Sequence, residues 1–394
     1  MVIRETFEKN HGILRLIPVF VPRSFNRPGR RLKLHPNDYY ALGTARGAIK
    51  ERWLSSVVTC SNGPLAASDE GLSYVETEVD PVTLKDFVEY LGAEIVGQEL
   101  MNKYGNWPMY SKFFDYNEPL FFHLHLDFEA AARIGCLSKP EAYYYPPQLN
   151  NHPGTFPHTY FGLDPDVTKE MVAECLQDYE NRDIRITELS RAYRIELGTG
   201  WYTPPGVLHA PGSYLTYEPQ WNSDVYSVFE NIVAGEAYPY EFLANNCPED
   251  KKQDMEYILS LLDWEKNLDP HYKKTYFRPP IISSQDETHV EKWITYANDY
   301  FAAKELTVYP GQTVTIKDPA AYGCIFVQGH GKFGTYDAET PAMIRFGQNT
   351  ADEYFVSEKT AREGVTISNP SMYDPIVILK HFANNHPNSP KEVT

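Results

Sequence analysis

His123 and His125 stand two residues apart in the aromatic run Phe121-Phe122-His123-Leu124-His125. On a β-strand that spacing points both imidazoles to one face. A buried pair of imidazoles is costly unless something binds it. Neutral imidazole nitrogens suit zinc, iron, manganese or nickel, and a carboxylate completes a borderline site. Two carboxylates are candidates: Glu129, close behind the pair, and Glu141, at the head of the strand-like run Ala142-Tyr143-Tyr144-Tyr145. Residues 198–213 offer a third histidine. There a strand ends at Pro204, Pro205-Gly206 forces a tight turn, and His209 opens the next strand.

Many short elements must position these groups. The chain has 394 residues, enough for two or three domains and a sizeable core. Thirty prolines beside 29 Tyr and 20 Phe suggest short strands and rigid turns rather than a helical bundle. Residues 13–20 alternate like a strand, and 51–56 read as a strand before the turn Asn62-Gly63-Pro64. A helix is expected after Asp80, capped by Thr83 with Asp86 three residues on, its apolar face formed by Leu84, Phe87, Val88 and Leu91. A second helix, starting near Asp166, carries Met171, Val172, Cys175 and Leu176. Residues 237–300 change character, with a helix from Pro248 and apolar positions at Met255, Ile258, Leu259 and Leu262. From 305 to 381 the pattern is β again, and 383–394 is a polar tail. The expected organisation is mainly β with inserted helices: a metal-binding unit at 1–236, a helical bridge at 237–300, and a second β unit at 301–394.

A formal charge of −17 argues against nucleic acid and anionic membranes as partners. It leaves room for a small anionic substrate, because a metal and a local lysine can outweigh a distant field. The five cysteines, Cys60, Cys136, Cys175, Cys247 and Cys324, are scattered and odd in number, which fits reduced thiols rather than a disulfide framework. A charged N-terminus and the lack of an apolar run of spanning length predict a soluble, cytoplasmic protein. The basic residues Arg23, Arg27, Arg30, Arg31 and Lys33 form either a salt-bridged surface loop or a lip facing a phosphate. Oligomeric state is not legible.

The segment 198–213 resembles the second cupin motif, G-x5-P-x-G-x2-H-x3-N, at Gly198, Pro204, Gly206 and His209, with Ser213 in place of the asparagine. Together with His123-Leu124-His125 it resembles the cupin superfamily, whose small β-barrels hold a metal with three histidines and a glutamate. The order of parts is similar to the type I phosphomannose isomerases, zinc-dependent cupins that interconvert mannose 6-phosphate and fructose 6-phosphate. His125 falls on that family's strand histidine, and Lys139-Pro140-Glu141 reproduces its Lys-Pro-Glu, in which the glutamate binds zinc and the lysine lies beside the substrate. Glu218 and Ser223-Asp224 fall on a site-lining glutamate and a Ser-Asp pair. The resemblance implies two cupin (jelly-roll) barrels joined by helices, with His123, His125, Glu141 and His209 as metal ligands in the first. It also favours Glu141 over Glu129, since Glu141 begins a strand that can hold it rigidly. Lys139, Glu218 and Asp224 are then the candidate catalytic groups. The second barrel, with His330 alone in a Gly-His-Gly turn, is expected to be structural.

Two departures stand out. The family reads Gln-x-His where this chain has His123-Leu124-His125, which keeps the coordination number and bears on metal preference. The family also places an arginine a few residues after Ser-Asp, whereas residues 225–228 here contain none. A guanidinium that would steady an enediolate or a phosphate is therefore missing or supplied from elsewhere. The implied function is a divalent-metal aldose–ketose isomerase, most simply with Zn2+, acting on a sugar or sugar phosphate. The alternatives are a cupin oxygenase using Fe(II) and a non-catalytic sugar-binding cupin.

Overall fold

Pro18 divides the first expected strand in two. Proline has no N–H for a sheet ladder, so the run becomes Ile13–Ile17 and Val19–Arg23, and the two halves join different sheets. In the computed structural model, which describes residues 2–152 and 154–393, the longer sheets sort into two facing pairs. The first pair begins with a seven-stranded sheet in the order Phe277–Arg278, Gly200–Thr203, Glu141–Tyr144, Thr216–Trp221, Met109–Phe114, Ala48–Leu54 and Val19–Arg23. Across an aromatic core lies a five-stranded sheet: Ser190–Arg194, His158–Leu163, His209–Ala210, His123–Leu124 and Ser227–Val228.

The second pair combines a nine-stranded sheet, centred on Phe301–Val308, Ile376–Ala383 and Tyr322–Gln328, with a four-stranded one. Leu306, Phe326, Phe333 and Ile367 fill the space between them. The two large sheets also pack back to back through Leu54, Phe113, Tyr217, Ile325 and Leu379. Ladders within the sheets are antiparallel, so the expected class, mainly β with inserted helices in a cupin-type arrangement, holds.

Being covered on both faces, the central strands Ala48–Leu54, Met109–Phe114 and Thr216–Trp221 are buried at every position. Alternation then decides where their polar side chains go. Glu51, Lys112 and Glu218 enter the first pair of sheets, with Lys112 and Glu218 directly opposite in register. Arg52 turns the other way and meets the nine-stranded sheet, where it donates to Asp352 at 2.8 Å and to Glu353 at 3.0 Å. Tyr217 does likewise, its hydroxyl 2.9 Å from His381 Nδ1.

The helices follow their caps. Thr83 accepts from the Asp86 N–H and starts Leu84–Leu91, whose four expected apolar residues are buried. Thr168 starts Lys169–Gln177, with Val172 and Leu176 buried and Met171 turned to solvent. The helical bridge expected at 237–300 needs correction. Its main helix, Met255–Ser260, is capped by Asp254 rather than begun at Pro248, and helix ends with Tyr272–Tyr276. Beyond it the chain forms Phe277–Arg278, which pairs with Gly200–Thr203, and then Ile281–Gln285 and His289–Thr295, the last laid on the ladder edge that Phe301–Val308 offers to an alternating sequence. The helical part packs Leu243, Ile258, Leu259 and Leu262 against Phe122, Leu124 and Leu208 behind the five-stranded sheet.

The N-terminal part is not confined to the first pair. Ile13–Ile17 pairs with Glu353–Val356, and Tyr74–Val75 and Val82–Thr83 extend that same edge. Among the described residues no helix is long and apolar enough to cross a membrane.

Candidate metal centre

Three short elements bring the histidines and Glu141 together. His123 and His209 sit on neighbouring strands as direct cross-strand partners. Glu141 opens its strand in the facing sheet, opposite Thr203. The strand expected over 120–126 is reduced to His123–Leu124, since Asp127 already caps the helix Phe128–Arg133. His125 is instead held through the turn that precedes His209. Gly206 adopts φ +80°, a conformation that costs other residues energy, and donates its N–H to the His125 carbonyl at 2.8 Å.

The same turn is anchored from the helical segment. Buried Asn267 donates to Gly206 O at 2.7 Å and accepts from the Leu208 N–H at 2.9 Å. The Asp263 N–H donates to Gly206 O at 2.9 Å. Ser213, which replaces the motif's asparagine, accepts from the Phe156 N–H at 2.6 Å.

His123, His125, Glu141 and His209 are all buried, with one donor atom from each lying within 4.8 Å of the others. Each imidazole has its Nδ1 against a backbone carbonyl: Phe121 O at 2.9 Å, Val225 O at 2.8 Å and Val207 O at 2.8 Å. That assigns the proton to Nδ1 and leaves a lone pair on Nε2. Yet His125 Nε2 is 3.1 Å from Glu141 Oε2, and His209 Nε2 is 3.0 Å from Glu141 Oε1. Acceptor faces acceptor. Glu141 Oε1 and His209 Nε2 find no hydrogen-bond donor, a costly state for buried atoms. Burial and the neighbouring His209 and His125 hold His123 well below the usual histidine range. Burial and Lys139 bring His125 down to about 4. Burial opposes charge on Glu141, but Lys139 and His125 hold its carboxyl well below the usual range. Two neutral imidazoles, a third on the same pattern and an ionised carboxylate, oriented by backbone carbonyls, form a donor set that a divalent cation would satisfy.

Lys139, Glu218 and Asp224 line the adjoining cavity, which has about 380 Å³ of empty space. Lys139 Nζ lies 2.8 Å from Glu141 Oε2, 3.1 Å from Glu218 Oε1 and 3.3 Å from His125 Nε2. Burial disfavours its charge, but Glu141 and Glu218 together hold its pKa above the ordinary value. Burial and Glu141 push Glu218 up to about 8, against the pull of Lys112 and Lys139. Asp224 is engaged on both oxygens, by Arg23 at 2.9 and 3.2 Å and by the Ser61 N–H at 2.9 Å.

Arg23, Glu51 and Lys112 also line this cavity and were not singled out from sequence as site residues. Arg23 was legible only as one of a basic stretch, and that stretch is mostly ion-paired. Arg27 pairs with Glu118 and Arg31 with Asp115. Arg23 and Arg31 are buried rather than on the surface. Glu129, the other carboxylate candidate, is exposed on Phe128–Arg133 and paired with Arg133.

An antiparallel β architecture with its donor cluster between facing sheets is a cupin-type arrangement, and the fold is one shared with solved mannose 6-phosphate isomerases. No protein-family model and no curated protein matches the chain. Among solved structures it is similar to the mannose 6-phosphate isomerase from Bacillus subtilis, with a TM-score of 0.62 and 16% identity, over 94% of this chain and 99% of that one. A zinc-bound mannose 6-phosphate isomerase gives 0.63 and 12% over 94% and 99%. A mutant of the phosphomannose isomerase from Salmonella typhimurium gives 0.63 and 11% over the same shares.

Proposed function

We propose that this chain is a metal-dependent aldose–ketose isomerase acting on a hexose or a hexose phosphate through an enediolate. The observation that carries this is the convergence of unprotonated imidazole nitrogens on Glu141, beside a polar cavity, in a fold shared with mannose 6-phosphate isomerases. His123, His125, Glu141 and His209 would hold the ion. Zinc comes first, on the zinc-bound neighbour, and Fe2+, Mn2+ or Ni2+ suit the same donors. When bound, it supplies an electrophile for the sugar oxygens.

The chain's own residues supply the proton chemistry. In our assignment Glu218 takes the proton from C2 of the aldose and returns it to C1, while the hydroxyl proton of O2 passes to O1. Lys139 stays protonated between Glu141 and Glu218 and donates hydrogen bonds to the oxygens where negative charge develops. Asp224 has no free oxygen for a proton and acts by position, locking Arg23 into the wall. The second pair of sheets supports the first; His330 is exposed there on His330–Phe333.

The test is metal analysis of the purified protein together with isomerisation of a panel of aldoses and their phosphates. About one divalent ion per chain with turnover is expected. His209→Ala and His125→Ala should each release the metal and abolish turnover with an unchanged circular dichroism spectrum. Glu218→Gln should keep the metal and lose roughly 10²–10⁴ in kcat. Stoichiometric metal and full activity in His209→Ala would refute the site, and iron with oxygen consumption would move the assignment to an oxygenase.

A further inference from the structure

We infer that this cavity selects a neutral, unphosphorylated sugar over its phosphate ester, an inference that rests on the isomerase assignment for the class of substrate. A phosphate dianion needs donors that are not already committed: an open guanidinium fork, a free ammonium, a helix N-terminus or a nest of backbone N–H groups. Arg23 is the guanidinium in this wall. Its Nε donates to Glu51 at 2.9 Å and its Nη2 to Glu51 at 3.0 Å and Asp224 at 2.9 Å. Its Nη1 donates to Asp224 and to Asn62, each at 3.2 Å. A guanidinium has five N–H groups, and all of them are taken by the protein.

The two lysines are neutralised by charge rather than saturated by hydrogen bonds. Lys112 Nζ lies 3.3 Å from Glu218 and 3.9 Å from Glu51, and Lys139 sits between Glu141 and Glu218. With Glu218 in the ionised form that its role as base requires, the lining sets Arg23, Lys112 and Lys139 against Glu51, Glu218 and Asp224, and is neutral before any ion binds. Glu141 and a divalent ion would add one net positive charge, at the end of the cavity that takes the reacting sugar oxygens. A dianion at the other end would remain undercompensated in a buried setting, which is expensive.

Arg27 is bound to Glu118, and Glu236 accepts from the neighbouring Asn26 N–H at 3.1 Å. None of the lining residues begins a helix. What the wall does present is aromatic: Phe121 and Tyr226 stack with ring centroids 5.6 Å apart, and Phe25 meets Phe121 edge-on at 5.0 Å. Rings beside balanced donor–acceptor pairs fit a sugar, which has C–H faces and hydroxyls that both give and take hydrogen bonds.

The experiment measures, on the metal-loaded protein, calorimetric binding of a hexitol and of the same hexitol 6-phosphate, which cannot isomerise. It also measures kcat/KM for the free hexoses and their 6-phosphates. The neutral member of each pair should be favoured at least about tenfold, a difference of roughly 1.4 kcal/mol. Equal or tighter binding of the phosphate, or no binding of the hexitol at millimolar concentration, overturns the inference. Turnover of phosphates in that case would leave the isomerase assignment standing. Hexitol preference with no sugar turned over would do the opposite, sustaining the inference and sinking the isomerase. Asp224→Asn, with its fold checked by near-ultraviolet circular dichroism, weakens the neutralisation of Arg23 and should shift the binding ratio about tenfold toward the phosphate. An unmoved ratio would show that Arg23 saturation does not set the preference.

Discussion

Arg23 carries the heaviest electrostatic load of any single side chain around the cavity. It is buried, with Glu51 on one side and Asp224 on the other. Its removal strands two buried carboxylates. Arg23→Met should therefore cost about 3–5 kcal/mol in urea unfolding. Adding Glu51→Gln and Asp224→Asn should recover most of that loss, and a triple variant as unstable as the single one would contradict this account. Nothing in the sequence marked Arg23 out from Arg27 or Arg30. Its direction depends on Pro18 restarting the strand and on a β-bulge between Val21 and Pro22, neither of which leaves a periodic trace. His123 and His125 were legible because a two-residue spacing has only one consequence on a strand. Choosing Glu141 over Glu129 needed the family pattern, since both are carboxylates within reach along the chain. The structure separates them by burial: Glu141 is inaccessible, whereas Glu129 faces solvent beside Arg133.

At the scale of elements, the turn before His209 shows how a short strand can be held without a long ladder. His209–Ala210 has two residues, too few to be stable alone. Asn267 supplies what is missing, closing Gly206 O and the Leu208 N–H from a helix more than fifty residues away in sequence. Asn267→Ala leaves the Leu208 N–H buried without a partner and Gly206 O with the Asp263 N–H alone. It should cost about 1–3 kcal/mol and weaken metal binding roughly 10–100-fold, measured by chelator competition. Asn267→Asp keeps one acceptor for Leu208 and should recover part of the affinity. If Asn267→Ala bound metal as tightly as the parent, the turn would be self-sufficient. The Pro204-Pro205-Gly206 turn could be read from its residue types, because each restricts the backbone in a known way. Asn267 could not be, as a polar residue in an amphipathic segment looks like any solvated position. The misread bridge at 277–295 has a similar cause: its strands exist because Gly200–Thr203 and Phe301–Val308 present edges to Phe277–Arg278 and His289–Thr295.

Across the whole molecule, the two large sheets are fastened by Arg52, Asp352 and Glu353. Burial raises the Glu353 carboxyl, Arg52 draws it back and Asp352 pushes it up again, and it settles at about 7. Between pH 4.5 and 7 the folded protein thus keeps a proton that the unfolded chain releases, so this group makes stability fall as pH rises through that window. The loss should be on the order of 2 kcal/mol, seen as a slope of urea-unfolding free energy between pH 5 and about 7. Glu353→Gln should flatten the slope by this group's share whatever its own stability, and an identical slope in the variant would assign the titration to other buried carboxyls such as Glu218 and Glu230. Ile13–Ile17 gives this junction a second meaning. Its sheet neighbour Glu353–Val356 is made more than three hundred residues after it. At about 10 residues per second that is roughly half a minute, during which the strand is paired on one edge only, by Tyr74–Val75, and the site behind it has no floor. Synthesis order and assembly order are therefore opposed in this protein. A chain truncated before residue 353 would leave the ribosome with every metal-donor residue present and the sheet beneath them uncovered, a species for chaperones rather than for catalysis.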